Sequence, residues 1–374
     1  MEPPEAADVS NGQNHEGRSR QSLAPVPMSR RLRLAPALLV VALGVALALH
    51  MSPSRAGSTV DPAPARAVGG VAITVAHMDR SVDFYSTVLL FEKVSDVQRS
   101  GPEIERLLGV PGSRVRVVTM QLGAERIELV EYLVRKGRPV PADARSNDSS
   151  FQHIAIIVND MDQAYLWLRR HNVSGISPEP QRLPDWNPNA AGIRAFSFKD
   201  PDGHALEILQ FPAGKGDARW QRPSDRVFLG IDHTAIVVGD TKTSLRFYRD
   251  TLGLRIVGGS ENDGPEHERL SNVPGARLRI TTLRAAEGPA IELLEYLAPR
   301  DGRPYPEDTM ANDLVRWHTL LLTTDAEAAA ARLGASAGTH ARPAVVSISD
   351  ATAGFRRGIA VRDPDGHAVQ LRAR

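Results

Sequence analysis

One pattern of apolar and polar positions occurs four times along the chain: a run of β-branched and aliphatic residues that leads into a polar cap and a helix. The clearest copy, residues 230–240, reads Gly-Ile-Asp-His-Thr-Ala-Ile-Val-Val-Gly-Asp. It predicts a buried strand with a histidine near its start. Shorter copies lie at residues 151–160 and 316–325, and a fourth copy at 68–75 has Gly70 where the others have histidine. Four copies of one strand, three of them with a histidine, therefore organise the chain.

Each copy begins a longer module. An aspartate after the first strand predicts a helix N-cap, because its carboxylate accepts hydrogen bonds from the free amides of the first helical turn. The predicted caps are Asp160, Asp240 and Asp325. Three strands are expected after each helix; in the third module they are predicted at 254–258, 277–283 and 290–296. The expected order is therefore β-α-β-β-β, four times.

The four modules form two copies of a larger unit. Related motifs recur at nearly constant spacing: Phe84-Tyr85 with Phe247-Tyr248, residues 127–133 with 291–297, and Asp-Pro-Asp-Gly-His-Ala at 200–205 with the same letters at 363–368. Such a repeat indicates duplicated structural units. Residues 69–212 and 229–374 are therefore predicted to be two copies of one domain, joined by a polar linker at 213–228.

The N-terminal part of the chain has a different composition. Residues 1–33 are polar and end in a basic stretch, which predicts a disordered segment followed by the basic n-region of a signal sequence. The apolar run at 34–51 predicts either a signal-peptide h-region or a membrane anchor, and it is short for a span, which needs roughly 20 apolar residues. Residues 52–68 are expected to be a linker. We therefore expect an exported protein, or one anchored to the membrane by this segment alone.

Composition narrows the possible functions. The chain has 374 residues, enough for two domains with cores of their own. A net charge of +1 gives no overall field that would favour nucleic acid, and no basic stripe is interleaved with aromatic residues, so nucleic-acid binding is not expected. The absence of cysteine excludes disulfides, thiolate metal sites and cysteine nucleophiles.

The motifs together resemble the vicinal oxygen chelate superfamily, which contains glyoxalases, bleomycin-resistance proteins and ring-cleaving dioxygenases. The shared features are the histidine on the first strand, the Phe-Tyr pair on the helix, Ile-Glu-Leu on the fourth strand, and the Asp-Pro-Asp-Gly-His turn. The resemblance covers residues 69–374. It implies an α+β fold in which four βαβββ modules form two glyoxalase-like domains with curved, open mixed β-sheets around a divalent metal.

The resemblance also implies which positions bind that metal: one on the first strand and one on the last strand of each module. The first-strand positions are Gly70, His153, His233 and His318, and the last-strand positions are Glu128, Glu207, Glu292 and Gln370. Strand periodicity places Glu292 and Glu295 on opposite faces without saying which faces inward, and only the family motif selects Glu292. Imidazoles with carboxylate and amide oxygens suit one divalent ion, such as Zn, Ni, Co, Mn or Fe.

Which of these predicted ligands lie close together depends on which modules share a sheet. We expect sequence neighbours to pair, because each copy reads as a compact domain. The second domain then holds a full set of ligands: His233, Glu292, His318 and Gln370. The first domain holds a less complete set, Glu128, His153 and Glu207. The other possibility pairs module one with four and two with three, which would join His153 and Glu207 to His233 and Glu292.

The glyoxalase and epimerase branches of the family imply a metal-dependent lyase or isomerase. Such an enzyme would take a small substrate with vicinal oxygens and abstract a proton next to a carbonyl, through a metal-stabilised enediolate. With neighbours paired, Glu292 is the only ionisable base among the ligands, and we expect it to be catalytic. An extradiol-type dioxygenase is a second possibility, against which Gln370 in the last ligand position argues. A non-catalytic, drug-sequestering protein without metal is a third.

Two further features allow more than one interpretation. The cationic loops at 135–139 and 300–304 either face the cup to meet an anionic substrate or are solvated. Residues 182–189 have no counterpart in the second copy, and they are expected to form either a lid or a plug at a domain interface.

Overall fold

The computed structural model describes residues 63–336 and 343–374. The predicted signal segment or anchor at 34–51, the segment before it and most of the linker at 52–68 lie outside the described residues. Within the described ranges, no helix is long and apolar enough to cross a bilayer.

The first two modules follow the expected order with small additions. Module one consists of β1 (Ala67–Thr74), α1 (Met78–Asp83) continued by a π-helical turn (Phe84–Val88), β2 (Glu92–Ser100), α2 (Pro102–Leu108), β3 (Arg114–Leu122) and β4 (Glu125–Tyr132). Module two consists of β5 (Gln152–Val158), α3 (Met161–Arg170), the short β6 (Ser174–Gly175) and β7 (Gln181–Arg182), β8 (Arg194–Lys199) and β9 (Ala205–Gln210). A 3₁₀ turn (Ala218–Gln221) lies in the linker between the two copies.

Modules three and four repeat this plan. Module three consists of β10 (Phe228–Val237), α4 (Thr241–Leu245) with a π-helical turn (Arg246–Thr251), β11 (Arg255–Asn262), α5 (Pro265–Ser271), β12 (Arg277–Arg284) and β13 (Ala290–Ala298). Module four consists of β14 (Trp317–Thr323), α6 (Ala326–Ser336), β15 (Val346–Ser347), a 3₁₀ turn (Ala351–Ala353), β16 (Arg357–Arg362) and β17 (Ala368–Ala373).

The predicted aspartate caps are confirmed. Asp160 accepts from the amide of Gln163 at 2.9 Å, and Asp240 accepts from Thr243 at 2.7 Å. Asp325 accepts from Ala328 at 2.9 Å. The pattern missed α2 and α5, seven-residue helices that each start with a proline after a glycine and end at a left-handed residue.

The strands form two curved mixed sheets, each built from one module of each copy. One sheet has the order β15-β16-β17-β14-β1-β4-β3-β2, and the other has β11-β12-β13-β10-β5-β9-β8-β6. Antiparallel pairing of β1 with β14, and of β5 with β10, joins the modules at the middle of each sheet. The expected pairing of sequence neighbours is therefore wrong: module one pairs with four, and module two pairs with three.

Two equivalent loop contacts hold this arrangement together. After β13, the backbone amide of Arg303 donates to Asp148 at 2.9 Å and its guanidinium to the same carboxylate at 2.6 Å. After β4, Arg138 makes the same two bonds to Asp313, both at 2.7 Å. Each contact joins the end of one module to the segment that leads into its sheet partner. The arginines of the two cationic loops that contact these aspartates are thus tied to the junctions between modules.

Sequence neighbours do meet, but in the core between the sheets. One apolar cluster joins modules one and two, with β1, β3 and β4 packed through residues such as Ile73 and Met120 against α3, β8 and β9. A second cluster joins modules three and four in the same way, with Tyr248 and Leu293 packed against Leu321 and Leu371. Each module therefore shares a sheet with one module and a hydrophobic core with a different module. The face of each sheet that does not pack in these cores is available to form a site.

Candidate metal centre

Four donor side chains converge on the concave face of the sheet formed by modules two and three. His153 on β5 lies opposite Ala235 on β10, and Ala235 in turn lies beside Glu292 on β13. By the same register, His233 lies opposite Ala155, which lies beside Glu207 on β9. Residues opposite one another in a ladder share a face, so all four side chains point the same way. The small alanines between them leave room for the longer side chains to meet.

The distances fit a shared ion. Nε2 of His153 is 3.6 Å from Oε2 of Glu207, and Nε2 of His233 is 3.4 Å from Oε2 of Glu292. One ligand atom each from His153, Glu207 and His233 lie within 4.8 Å of one another. Nε2 of His153 is buried and has no hydrogen-bond partner among the described residues. A buried polar atom without a partner is costly, and an ion at the centre of this group would satisfy it.

A neighbouring carboxylate fixes the orientation of the His233 ring. Nδ1 of His233 contacts Oδ2 of Asp232 at 3.1 Å, which leaves Nε2 for the cluster. Asp232 is held in turn by the indole of Trp220 at 3.0 Å and by Arg284 at 3.3 Å. The ladder between β10 and β5 shifts register between Ile231 and His233, so Asp232 does not follow strict alternation and reaches the same cavity. Sequence periodicity therefore missed Asp232, and the linker residue Trp220 gave no signal.

The equivalent positions in the other sheet form an ion pair instead. Both oxygens of Glu128 accept from the guanidinium of Arg372, at 2.6 and 2.8 Å, and Arg372 also donates to Gln370. The cavity beside them has a volume of only about 40 Å³. Glu128 keeps a lowered pKa, because Arg372 and Arg99 outweigh the opposing effect of its burial. The bidentate arginine already neutralises this carboxylate, so no metal ion is required to balance its charge.

Gly70 explains why this second set has no histidine on its first strand. Its φ is +115°, and a Cβ at this position would lie 2.0 Å from the carbonyl oxygen of Arg126. Leu320 occupies the position between Gly70 and Gln370 where the other site has an alanine. The sequence did contain a signal that this site differs. Arg372 lies two residues after Gln370 and so on the same strand face, whereas a leucine stands two residues after Glu207 and Glu292.

The predicted full set of His233, Glu292, His318 and Gln370 is therefore not brought together. His318 and Gln370 lie in one sheet, and His233 and Glu292 lie in the other. His153 and Glu207, expected in a lesser site, complete the group around His233. The remaining predicted ligand, Glu128, lies with His318 and Gln370. This outcome follows from module pairing alone, since each residue occupies the strand position that was predicted for it.

Comparison with known proteins agrees with this architecture. The family model described as Glyoxalase/Bleomycin resistance protein/Dioxygenase superfamily matches the chain twice, at residues 67–208 and 230–371. The chain belongs to this superfamily. No curated protein sequence matches it.

Solved structures of the superfamily share the fold at low identity. Glyoxalase I from Zea mays is 16% identical with a TM-score of 0.54, over 82% of this chain and 92% of that one. A putative dioxygenase from Bacillus subtilis is 14% identical with a TM-score of 0.51, over 83% of this chain and 86% of that one. At this distance the likeness establishes the fold and leaves the chemistry to the site.

In this superfamily member, the environment of the candidate metal centre holds its donors in distinct protonation states. Burial, with a smaller contribution from His233, lowers the pKa of His153 to about 3, so its imidazole is neutral. Burial opposes the charge of His233 as well, but Glu292, Asp232 and Glu207 together outweigh it and raise the pKa to about 9. Burial raises the pKa of Glu207 to about 7. Asp232 stays ionised, because His233, Trp220 and Arg284 outweigh its burial and lower its pKa to about 2.

Metal binding to the metal-free protein is therefore expected to release protons. At pH 7, His233 has a full proton and Glu207 about half of one, and both must leave before the two side chains bind a cation. We expect release of roughly 1.5 protons per ion, and an affinity that rises with pH up to about 9. Zn²⁺ titration in weak buffer with an indicator dye measures the release. A proton count near zero would contradict this assignment.

Proposed function

We propose that this protein is a divalent-metal-dependent lyase or isomerase that moves a proton on a carbon next to a carbonyl. The observation that supports it is that two histidines and two glutamates line one cavity, and that Nε2 of His153, which has no hydrogen-bond partner among the described residues, lies 3.6 Å from Oε2 of Glu207. His153, Glu207 and His233 would hold the ion. When bound, the ion would supply Lewis acidity for two neighbouring substrate oxygens, and so stabilise the negative charge that builds there.

Glu292 is the proposed base. It is adjacent to the compact group of three donors but is not part of it. Its Oε1 accepts from the hydroxyl of Thr282 at 2.8 Å, which fixes the carboxylate and leaves Oε2 facing the centre. Oε2 would take the proton from the substrate carbon and return it at the same or the neighbouring atom. Glu207 occupies the corresponding position on β9, and its proposed role is to hold the ion with the two histidines.

The test separates the two glutamates. We expect Glu292→Gln to keep its metal and to lose proton transfer by about 100-fold or more, the usual range for loss of a general base. Glu207→Gln is expected to weaken metal binding itself. The measurements are elemental analysis and solvent-deuterium exchange by NMR, with (R)-benzoin and hydroxyacetone as neutral 2-hydroxyketone probes. The surface substitution Glu287→Gln is the control, since that side chain is 64% exposed. A Glu292→Gln protein with normal metal and normal exchange would refute the proposed base.

A ring-cleaving dioxygenase is the second candidate. The compact group of His153, His233 and Glu207 is a two-histidine, one-carboxylate set of the kind that suits non-haem Fe(II). The objection from Gln370 does not apply, because Gln370 lies in the other sheet. Oxygen uptake on catechols after Fe(II) loading tests this candidate. A natively purified protein without metal, and with neither activity after loading, would favour the drug-sequestering role.

A further inference from the structure

A cavity of about 680 Å³ lies above the metal centre, and most of its wall is apolar. The sheet contributes residues such as Leu209 and Ile280, and the segment leading out of β9 contributes Phe211. The insertion after β7 contributes Leu183 and Ile193, and it is pinned to module three by Asn187, which donates to the carbonyl of Glu261 at 3.0 Å. Of residues 182–189, which have no counterpart in the second copy, Leu183 and Asn189 therefore contribute to the wall of this cavity.

The charge around the cavity is unsuited to an anionic ligand. Arg284 is the single arginine or lysine among the described residues that line it, and Arg284 already contacts Asp232 at 3.3 Å. Four carboxylates line the same space: Glu207, Asp217, Asp232 and Glu292. The arginines of the cationic loops, Arg138 and Arg303, are bound to aspartates at the module junctions instead. In the metal-free protein both cations of the cavity are already paired, Arg284 with Asp232 and the protonated His233 with Asp232 and Glu292. A ligand with phosphates or carboxylates would therefore meet repulsion without a free cation to offset it.

Besides His153 of the candidate metal centre, a second buried imidazole in this wall has unpartnered nitrogens among the described residues. His267 on α5 is 5% exposed and lines the cavity. Neither of its ring nitrogens has a hydrogen-bond partner among the described residues. Burial lowers its pKa to about 4 despite the opposing charge of Asp263, so the ring is neutral, with one donor and one acceptor nitrogen. A buried imidazole without partners costs free energy that a ligand can recover by supplying one.

We propose that His267 is a substrate-positioning residue, and that the cavity takes an uncharged, largely apolar or aromatic compound whose hydroxyl or carbonyl group hydrogen-bonds to it. This substrate class rests on the proposed function, because it describes the ligand of that same site. The apolar wall buries the body of the molecule, and His267 fixes its orientation from α5. The ion that His153, Glu207 and His233 would hold would lie beside its reacting oxygens.

The test compares ligands of one shape in metal-free protein that carries His153→Leu, so that the unpartnered nitrogen of His153 cannot supply the same hydrogen bond. The probes are 2-naphthol, 2-methylnaphthalene and 2-naphthalenesulfonate, titrated by fluorescence or calorimetry. We expect 2-naphthol to bind about tenfold more tightly than 2-methylnaphthalene, the gain from one hydrogen bond to a buried partner. The sulfonate should bind at least about tenfold more weakly than 2-naphthol, since Arg284 and the protonated His233 are already paired with carboxylates. His267→Leu should bring the ratio for the first two probes close to one, and His267→Gln should restore part of it.

The ratio within one variant cancels any general change in the shape of the cavity. A hydroxyl preference that survives in His267→Leu, or a sulfonate that binds as tightly as 2-naphthol, would overturn the proposal. Because the titration needs neither metal nor turnover, its result is independent of the exchange assay. A protein that binds the naphthols as expected but exchanges no proton would lose the proposed reaction and keep the ligand class.

Discussion

Substitution of His233 by alanine is expected to abolish metal binding, whereas the same substitution at His318 should leave it unchanged. His233 lies with His153 and Glu207 in a group whose ligand atoms are within 4.8 Å of one another. His318 lies in the other sheet, beside a glutamate already bound by Arg372. Loss of a supporting hydrogen bond costs metal affinity roughly 10- to 100-fold, so loss of a ligand should exceed about 100-fold. Competition titration with a chromophoric chelator measures the affinity.

The two substitutions form a matched pair, because both histidines occupy the same position in first strands related by the repeat. Burial lowers the pKa of His318 to about 3, with further lowering from Arg316 and Arg372, so its removal deletes a neutral side chain. Equal loss of affinity in both variants would mean that the two histidines share an ion. That result would restore the pairing of sequence neighbours and refute the sheet order described above.

Substitution of Gly302 by alanine is expected to destabilise the fold by about 3 kcal/mol, the upper end of the range for overpacking. A Cβ at this position would lie 1.8 Å from the carbonyl oxygen of Asn147, the residue before Asp148. The chain cannot move away without breaking the bonds from Arg303 to Asp148, at 2.9 and 2.6 Å. For a chain of 374 residues, the expected drop in melting temperature is about 4 °C.

Two comparisons make this result specific to the junction. Gly258→Ala is the control, because the nearest atom to its added Cβ is 3.9 Å away. Gly137→Ala should reproduce the effect at the equivalent junction, where the Cβ would lie 2.0 Å from the carbonyl oxygen of Asn312. Thermal unfolding followed by circular dichroism measures all three. A melting temperature for Gly302→Ala within about 1 °C of the parent protein would show that the junction tolerates the side chain.

The site was predictable in its parts but not in its grouping. The repeat placed each donor on the correct strand, and the aspartate caps at Asp160, Asp240 and Asp325 followed from local chemistry. Asp232 was missed because a register shift in β10 moves it out of strict alternation. Arg372 was missed because the family pattern specifies only the ligand position, whereas Arg372 lies two residues farther along the same face of β17.

The sequence by itself determined four βαβββ modules, their helix caps and the family, because these depend on periodicity and on contacts between residues close in the chain. Only the tertiary structure decided which modules share a sheet, and so which histidines meet. That choice depends on contacts more than 150 residues apart in the chain, such as Arg303 with Asp148 and Arg138 with Asp313. Both pairings bury the same apolar strand faces, so the apolar pattern is identical for the two, and the junctions between modules distinguish them.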